Sequence, residues 1–400
     1  MAANSGLSGE FKAATMRGAA GFFRVAQHRS GAWWLIDPAG EPWWGRAVNG
    51  VDAAADAGPE HPVAQLRRWG ANALGAGAAA ELRGDGLPFL ANADFCAAGA
   101  VIRGSRVVLP DVFDPAWARA ARTHAAAKGA DLAGRTDVLG WLTDTGIEWG
   151  ETAASGRPML LQTCLSLEPG FAAYHAAWEF VLAGHGGRIE PLARAWQVPL
   201  ANREGVRELT RGDRGIGSRG YLRDEARWAR EFARRYFMLT SAALRAAVPE
   251  HLIFGARARR GSDPAVRREA VYPAVDVTCG RADEVGLGAT GPVWVDGFSW
   301  AKEAFWAAPT ARRARKSTSV ERMMRQGRAA LEQLARHPAV VGFAWSRWRD
   351  EPAEQPPFAQ GLVHTNGVEA REHTELLTEV NLRAENLRRA AGAGKVAECR

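Results

Sequence analysis

Val138-Leu139-Gly140-Trp141-Leu142-Thr143 is a short apolar run, and a helix start, Asp114-Pro115, lies upstream of it. Asp114 offers an N-cap oxygen and Pro115 suits the first helical turn. A helix followed by an apolar strand is half of a parallel βα repeat. The same alternation runs along the chain. Further strands are expected at Trp43–Asn49, Asn72–Gly75, Pro88–Ala93, Leu252–Arg257, Val275–Cys279, Val293–Asp296 and Val340–Trp345. With Val138–Thr143 they make eight, which predicts an α/β fold, a (β/α)8 TIM barrel. Phe22–Val25 and Trp33–Ile36 read as an N-terminal β-hairpin that plugs the bottom of the barrel.

Other helices carry their own signals. Thr318-Ser319-Val320-Glu321 reads as a capping box. Beyond it, Val320, Met323, Met324, Gly327, Leu331 and Leu334 recur at helical spacing, as do Leu222, Ala226, Ala229, Ala233, Tyr236 and Leu239 ahead of strand five. Stripes of this kind face a core. Glu151–Gly220 is a long, largely helical insertion after strand four. An insertion there covers the C-terminal face of a barrel and shapes a cleft.

The bulk numbers bound the answer. A chain of 400 residues, 47% hydrophobic, suits one large barrel. No linker or repeat interrupts residues 21–400, so they read as a single domain; residues 1–20, small, polar and aperiodic, read as a flexible tail. No apolar run reaches the roughly 18 residues of a membrane span. The N-terminal stretch has no secretory pattern, so a cytoplasmic protein without a membrane partner is expected. Cys96, Cys164, Cys279 and Cys399 form no CxxC pair and read as reduced, mostly buried thiols. His175, His185 and His364 reach the top face through loops, but HxH and HExxH are absent, so neither metal nor cofactor is expected. The glycine-rich Gly215–Gly220 lacks the strand-to-helix placement of a phosphate loop. A net charge of +7 favours an anionic partner, yet no basic motif interleaved with aromatics points to nucleic acid. Oligomeric state is not legible.

Several motifs then fall into a familiar order. Gly21-Phe22-Phe23-Arg24, Trp33-Trp34-Leu35-Ile36-Asp37-Pro38-Ala39-Gly40 and the turn Ala47-Val48-Asn49 open the chain. Leu109-Pro110-Asp111-Val112-Phe113-Asp114-Pro115, Gly140-Trp141-Leu142-Thr143-Asp144 and Trp149-Gly150 follow. His251-Leu252-Ile253-Phe254-Gly255-Ala256-Arg257, Val341-Gly342-Phe343-Ala344-Trp345 and Gly361-Leu362-Val363 complete the set. Over nearly its whole length the chain resembles the β-agarase-like glycoside hydrolases. That resemblance implies a retaining glycosidase with an acid/base glutamate at the end of strand four and a nucleophilic glutamate at the end of strand seven. A retaining pair sits about 5–5.5 Å apart.

The sequence departs from that pattern at both places. Asp144-Thr145-Gly146-Ile147-Glu148 puts Gly146 at the acid/base position, and Asp296-Gly297-Phe298 puts Gly297 at the nucleophile position. Two smaller losses accompany them: Gly75-Ala76-Gly77 where the family tends to have a tryptophan, and Gly280-Arg281-Ala282 in place of an Asn-Tyr-like pair. Glycine can neither donate a proton nor attack an anomeric carbon, so the mechanism does not follow from the fold. Glu148, Asp296 and Asp144 are the nearest replacement carboxylates, though each reads more readily as a solvated or ion-paired loop residue. Alternation along a strand turns Asp296 away if Gly297 faces the cavity, unless a bulge re-aims it.

Arginines gather after the later strands: Arg257, Arg259, Arg260, Arg281, Arg312, Arg313, Arg315, Arg347 and Arg349, with Lys316. On one rim, their planar forks suit a carboxylate, sulfate or phosphate; paired with acids on the surface, they would be structural. Asn49, Arg257, Arg281 and Arg347 are candidate ligand contacts. Trp345, at the end of strand eight, and Trp149 are candidate sugar-stacking faces, with Trp300 and Trp348 behind them. Three functions stay open: a divergent barrel binding or processing a sugar-like, possibly anionic, ligand; an active glycosidase with relocated carboxylates Glu148 and Asp296; and a pseudoenzyme serving as a protein scaffold.

Overall fold

Inward-pointing glycines and bulky rings decide how this barrel closes, as the computed structural model shows over residues 9–53, 60–257, 266, 269, 274–285, 291–301, 320–354 and 359–398. β1 (Arg24–Gln27) and β2 (Trp33–Ile36) form an antiparallel hairpin, extended by β3 (Pro42–Trp43). The barrel begins with β4 (Gly45–Val48), α1 (Pro62–Arg68), β5 (Ala73–Leu74) and β6 (Phe89–Asn92). A side hairpin, β7 (Val101–Gly104) and β8 (Val107–Pro110), leaves after β6, and α2 (Pro115–Gly129) returns to β9 (Val138–Leu142). β10 (Glu148–Trp149) joins the side hairpin. The insertion follows as α3 (Leu160–Leu165), α4 (Ala172–Gly184), α5 (Ile189–Trp196) and α6 (Glu204–Arg211). The long α7 (Arg219–Ala247) leads to β11 (Ile253–Gly255), β12 (Thr278–Gly280), β13 (Val293–Phe298), α8 (Val320–Arg336), β14 (Val340–Trp345) and α9 (Arg371–Glu398).

Eight strands pair in parallel in the order β11-β9-β6-β5-β4-β14-β13-β12. Across the remaining seam, the Asp276 and Val277 amides donate to the Ile253 carbonyl at 2.9 and 3.1 Å. The sheet is therefore nearly closed, a (β/α)8 barrel. Asp114 caps α2 as its sequence implies, accepting from the Ala116 amide at 2.7 Å. Thr318 and Ser319, the expected cap of α8, lie outside the described residues. The expected strand Trp43–Asn49 is two elements: Trp43 belongs to the hairpin sheet, and the barrel strand starts at Gly45.

Three layers fill the barrel. At the N-terminal end, Phe23, Val25, Trp33 and Leu35 of the hairpin pack with Leu139, Leu252, Val277 and Val341. The Trp33 amide donates to Pro338 O at 2.7 Å, ahead of β14. Arg17 donates to the Val275 and Asp276 carbonyls at 3.1 Å, ahead of β12. Arg17 also bridges Val25, and Phe11, 3% exposed, bridges His28. The stretch read as a flexible tail is thus pinned to the hairpin at Phe11, Lys12 and Arg17, with exposed residues between them. In the middle layer Phe254 and Trp294 meet edge to face at 5.6 Å. A Cβ on Gly140 would sit 2.3 Å from the Phe254 ring, and one on Gly45 2.3 Å from the Trp294 ring. Large rings opposite bare backbone fill this layer. The third layer is polar and forms the mouth. Among the described residues no helix is long and apolar enough to cross a membrane.

Candidate ligand site at the barrel mouth

Strand alternation aims the polar layer. On β13, Trp294 lies in the interior cluster and Val295 in the outer one, so Asp296 turns inward again. β4 does the same with Ala47, Val48 and Asn49, and β6 with Leu90, Ala91 and Asn92. Gly297 follows at φ +70°, inside a register shift between Val295 and Phe298. Alternation from Trp294 therefore makes Asp296, not Gly297, the residue of strand seven that faces the mouth, and the condition under which Asp296 would turn away, an inward Gly297, does not hold.

Asp296 is tied on both oxygens. Asn49 Nδ2 donates to its Oδ1 at 3.0 Å, and Arg257, at the end of β11, forms an ion pair with Oδ2. The Asp296 side chain is 4% exposed, that of Arg257 31%. Asn49 Oδ1 accepts from the Ala76 amide at 2.8 Å. This contact needs Gly75, where a Cβ would fall 2.2 Å from Asn49 Oδ1. The missing bulk at strand two is thus a close approach that seats Asn49.

Asp144, at the end of β9, is turned elsewhere. Its oxygens accept from the Cys96 amide at 2.9 Å and the Tyr236 hydroxyl of α7 at 2.5 Å. Thr143 Oγ1 lies 2.7 Å from the same hydroxyl. Burial pushes the Asp144 carboxyl up to about 6, outweighing those two hydrogen bonds. Only its carbonyl reaches toward the mouth, accepting from the Arg257 amide at 2.8 Å.

The remaining candidates are spread out. Glu148 is held in β10 opposite Val108 rather than in a free loop. Its neighbour Trp149 packs against Phe232, Tyr236 and Phe237 of α7, so it is a core ring instead of a stacking face. Trp345 is fully buried, lies edge-on to Trp300 at 4.5 Å and donates its indole N–H to Gln360 O at 2.8 Å. Neither of its faces is open for a sugar, a correction to the expected platform; Trp348 and Trp300 are buried too. Arg281 pairs with Asp283 at 3.1 Å, Arg347 with Glu351 at 2.5 Å, and Arg349 approaches Asp52 at 3.7 Å. Arg259, Arg260, Arg312, Arg313, Arg315 and Lys316 lie outside the described residues.

The histidines do not converge. His175 bonds Pro169 O, His185 bonds Asp224 and His364 bonds Asp350. No His/Cys/Asp/Glu group suited to a metal occurs among the described residues. Sequence reasoning missed Asn92 and Tyr236. Asn92 was legible as the inward alternate of Leu90, but Tyr236 was legible only as one member of an apolar helical stripe.

The same fold occurs in solved glycosidases. The agarase AgWH50C matches with a TM-score of 0.68 at 18% identity, over 92% of this chain and 66% of its own. An exo-beta-agarase matches at 0.69 and 16%, over 95% and 66%. A beta-galactosidase from the Antarctic haloarchaeon Halorubrum lacusprofundi matches more distantly, at 0.50 and 15%, over 84% and 58%. The chain spans about two thirds of the length of these agarases. No protein-family model and no curated protein matches the sequence. The chain is therefore a (β/α)8 barrel whose fold is shared with solved agarases and a beta-galactosidase.

Proposed function

We propose that this chain binds a sugar at the C-terminal mouth of a glycosidase-type barrel without cleaving it through a retaining carboxylate pair. The tied state of Asp296 carries the reading. A nucleophile needs an oxygen that can reach the anomeric carbon; the Asp296 side chain is only 4% exposed, and it is held in place by Asn49 on one oxygen and Arg257 on the other. Asp144 spends its oxygens on Tyr236 and Cys96. Gly146 and Gly297 stand where the resemblance implies the catalytic glutamates, and neither brings a carboxylate. A φ of +70° at Gly297 suits glycine and strains any side chain placed there. The shared fold with agarases and beta-galactosidases makes a sugar the ligand class to test first. Arg257, Arg281, Arg347 and Arg349 each have a carboxylate close by, which favours a neutral sugar over an anionic one.

One observation favours a second reading, a hydrolase. Asp144 at the end of strand four keeps its proton up to about pH 6, while Asp296 at the end of strand seven is salt-bridged. Two carboxyl groups held in contrasting environments can serve as an acid and its partner. Calorimetric titration with neutral, sulfated and uronic-acid oligosaccharides, agar- and galactan-derived ones included, tests the first reading. Saturable binding of a neutral member is expected; no binding of any member overturns it. Turnover abolished in both Asp144→Asn and Asp296→Asn would establish the hydrolase.

A further inference from the structure

We infer that a cavity on the outside of the barrel, between α1 and α9, is a second binding site, for a small molecule carrying a carboxylate or phosphate group. It lies in the wall of the barrel, away from the mouth, and does not depend on the sugar reading. Its volume is about 320 Å³, at the lower end of the roughly 300–1,000 Å³ typical of small-molecule sites. Arg46 of β4, Arg67 near the end of α1, the turn at Gly70, and Asn381, Leu382 and Glu385 of α9 line it.

Strand alternation puts Arg46 there. Its neighbours face the interior: a Cβ on Gly45 would meet the Trp294 ring, and Ala47 lies in the interior cluster. Arg46 therefore points outward, between the two helices. Its side chain is only 16% exposed. Nε donates to Gly70 O at 2.9 Å and Nη1 to Glu385 Oε1 at 3.0 Å. Among the described residues Nη2 has no hydrogen-bond partner, yet it is not sealed from solvent. Burial holds the guanidinium below its ordinary range, against the pull of Glu385. One carboxylate thus leaves the buried charge under-compensated, and an oxyanion on Nη2 would complete the fork.

The other walls suit the same ligand. Arg67 gives Nη2 to Asp85 O at 3.1 Å and has further N–H groups to offer. Two guanidiniums face one carboxylate, so the cavity keeps a positive balance. Gly70, at φ +69°, lets its turn close on α9, since a Cβ there would fall 2.9 Å from Asn381 Cβ. Leu382, 72% exposed, gives an apolar edge for a ligand's carbon skeleton.

The test is calorimetric titration of the protein with malonate and with inorganic phosphate, at constant ionic strength and without sugar. Arg67→Ala is the site variant; the residue is exposed, so the fold stands without it. Arg122→Ala, at an exposed position of α2 outside the cavity, removes the same charge elsewhere. Saturable binding of at least one probe is expected, weakened about tenfold in Arg67→Ala and unchanged in Arg122→Ala. The tighter probe identifies the anionic group of the ligand. No saturable binding of either probe overturns the inference. Equal affinities in the two variants overturn it as well, because the anion is then drawn by the protein's net charge and not by the cavity. Both of these results leave the sugar reading untouched.

Discussion

Arg257 and Asp296 pair across the barrel mouth from the ends of β11 and β13, with β12 between them. The contact fastens strand five to strand seven just above the place where the sheet has its seam. Asp296 is almost fully buried, so removing its cation leaves a charge without compensation. Arg257→Ala is expected to lower the unfolding free energy by about 3 kcal/mol, the low end for a buried pair because the guanidinium is a third exposed. Urea titration measures it. Adding Asp296→Asn to that variant should recover part of the loss, since the two sites are coupled.

Gly75 gives a second test of the same framework. Its Cβ would meet Asn49 Oδ1 at 2.2 Å and Val48 O at 2.8 Å. Gly75→Ala is expected to cost about 1–3 kcal/mol, the range for overpacking. Asn49→Ala in the same chain should relieve the part owed to the side chain, leaving the part owed to Val48 O. Thermal unfolding of the two single variants and the double variant separates these parts.

The Asp144 carboxyl gives a pH prediction. Its ordinary value is 3.8, and burial raises it to about 6 in the folded protein. The folded chain thus holds this proton more tightly than the unfolded chain does. Stability from the group is full below pH 3.8 and is lost as pH rises through 6. Asp144→Asn removes this dependence. Relative to wild type, the variant should gain roughly 3 kcal/mol between pH 4 and 7. Urea unfolding across that range checks it, and an opposite slope would mean that the fold favours the carboxylate.

Arg388 ties the last helix to the barrel floor. Its guanidinium donates to the carbonyls of Ala335, His337, Pro338 and Trp33 and lies over the Trp34 ring. Ala335 and His337 flank the end of α8, so the cation also meets the negative end of that helix. Arg388→Met keeps the apolar stem and strands the carbonyls. A loss of about 3 kcal/mol is expected in chemical unfolding.

The barrel was legible because its strands are apolar runs separated by helix signals. Asp114-Pro115 before α2 and Val340–Trp345 as β14 are found where the sequence puts them. Aim at the strand ends was not legible. Whether Asp296 or Gly297 faces inward depends on which face of β13 is the inner one, and a strand buried on nearly every residue does not announce that Trp294, and with it Asp296, is on the inside. Trp345 misled for a related reason. Its fate depends on Trp300 and Gln360, two residues brought to it by tertiary packing. Glu148 likewise owes its fixed place to pairing with β8, a strand about forty residues earlier.

The central claim is binding without cleavage by the family's pair. Its most direct test is to saturate the protein with the oligosaccharide panel and weigh the sugars by mass spectrometry after long incubation. The account predicts bound neutral oligosaccharide recovered at its original mass. New, shorter masses that vanish in Asp296→Asn would contradict it.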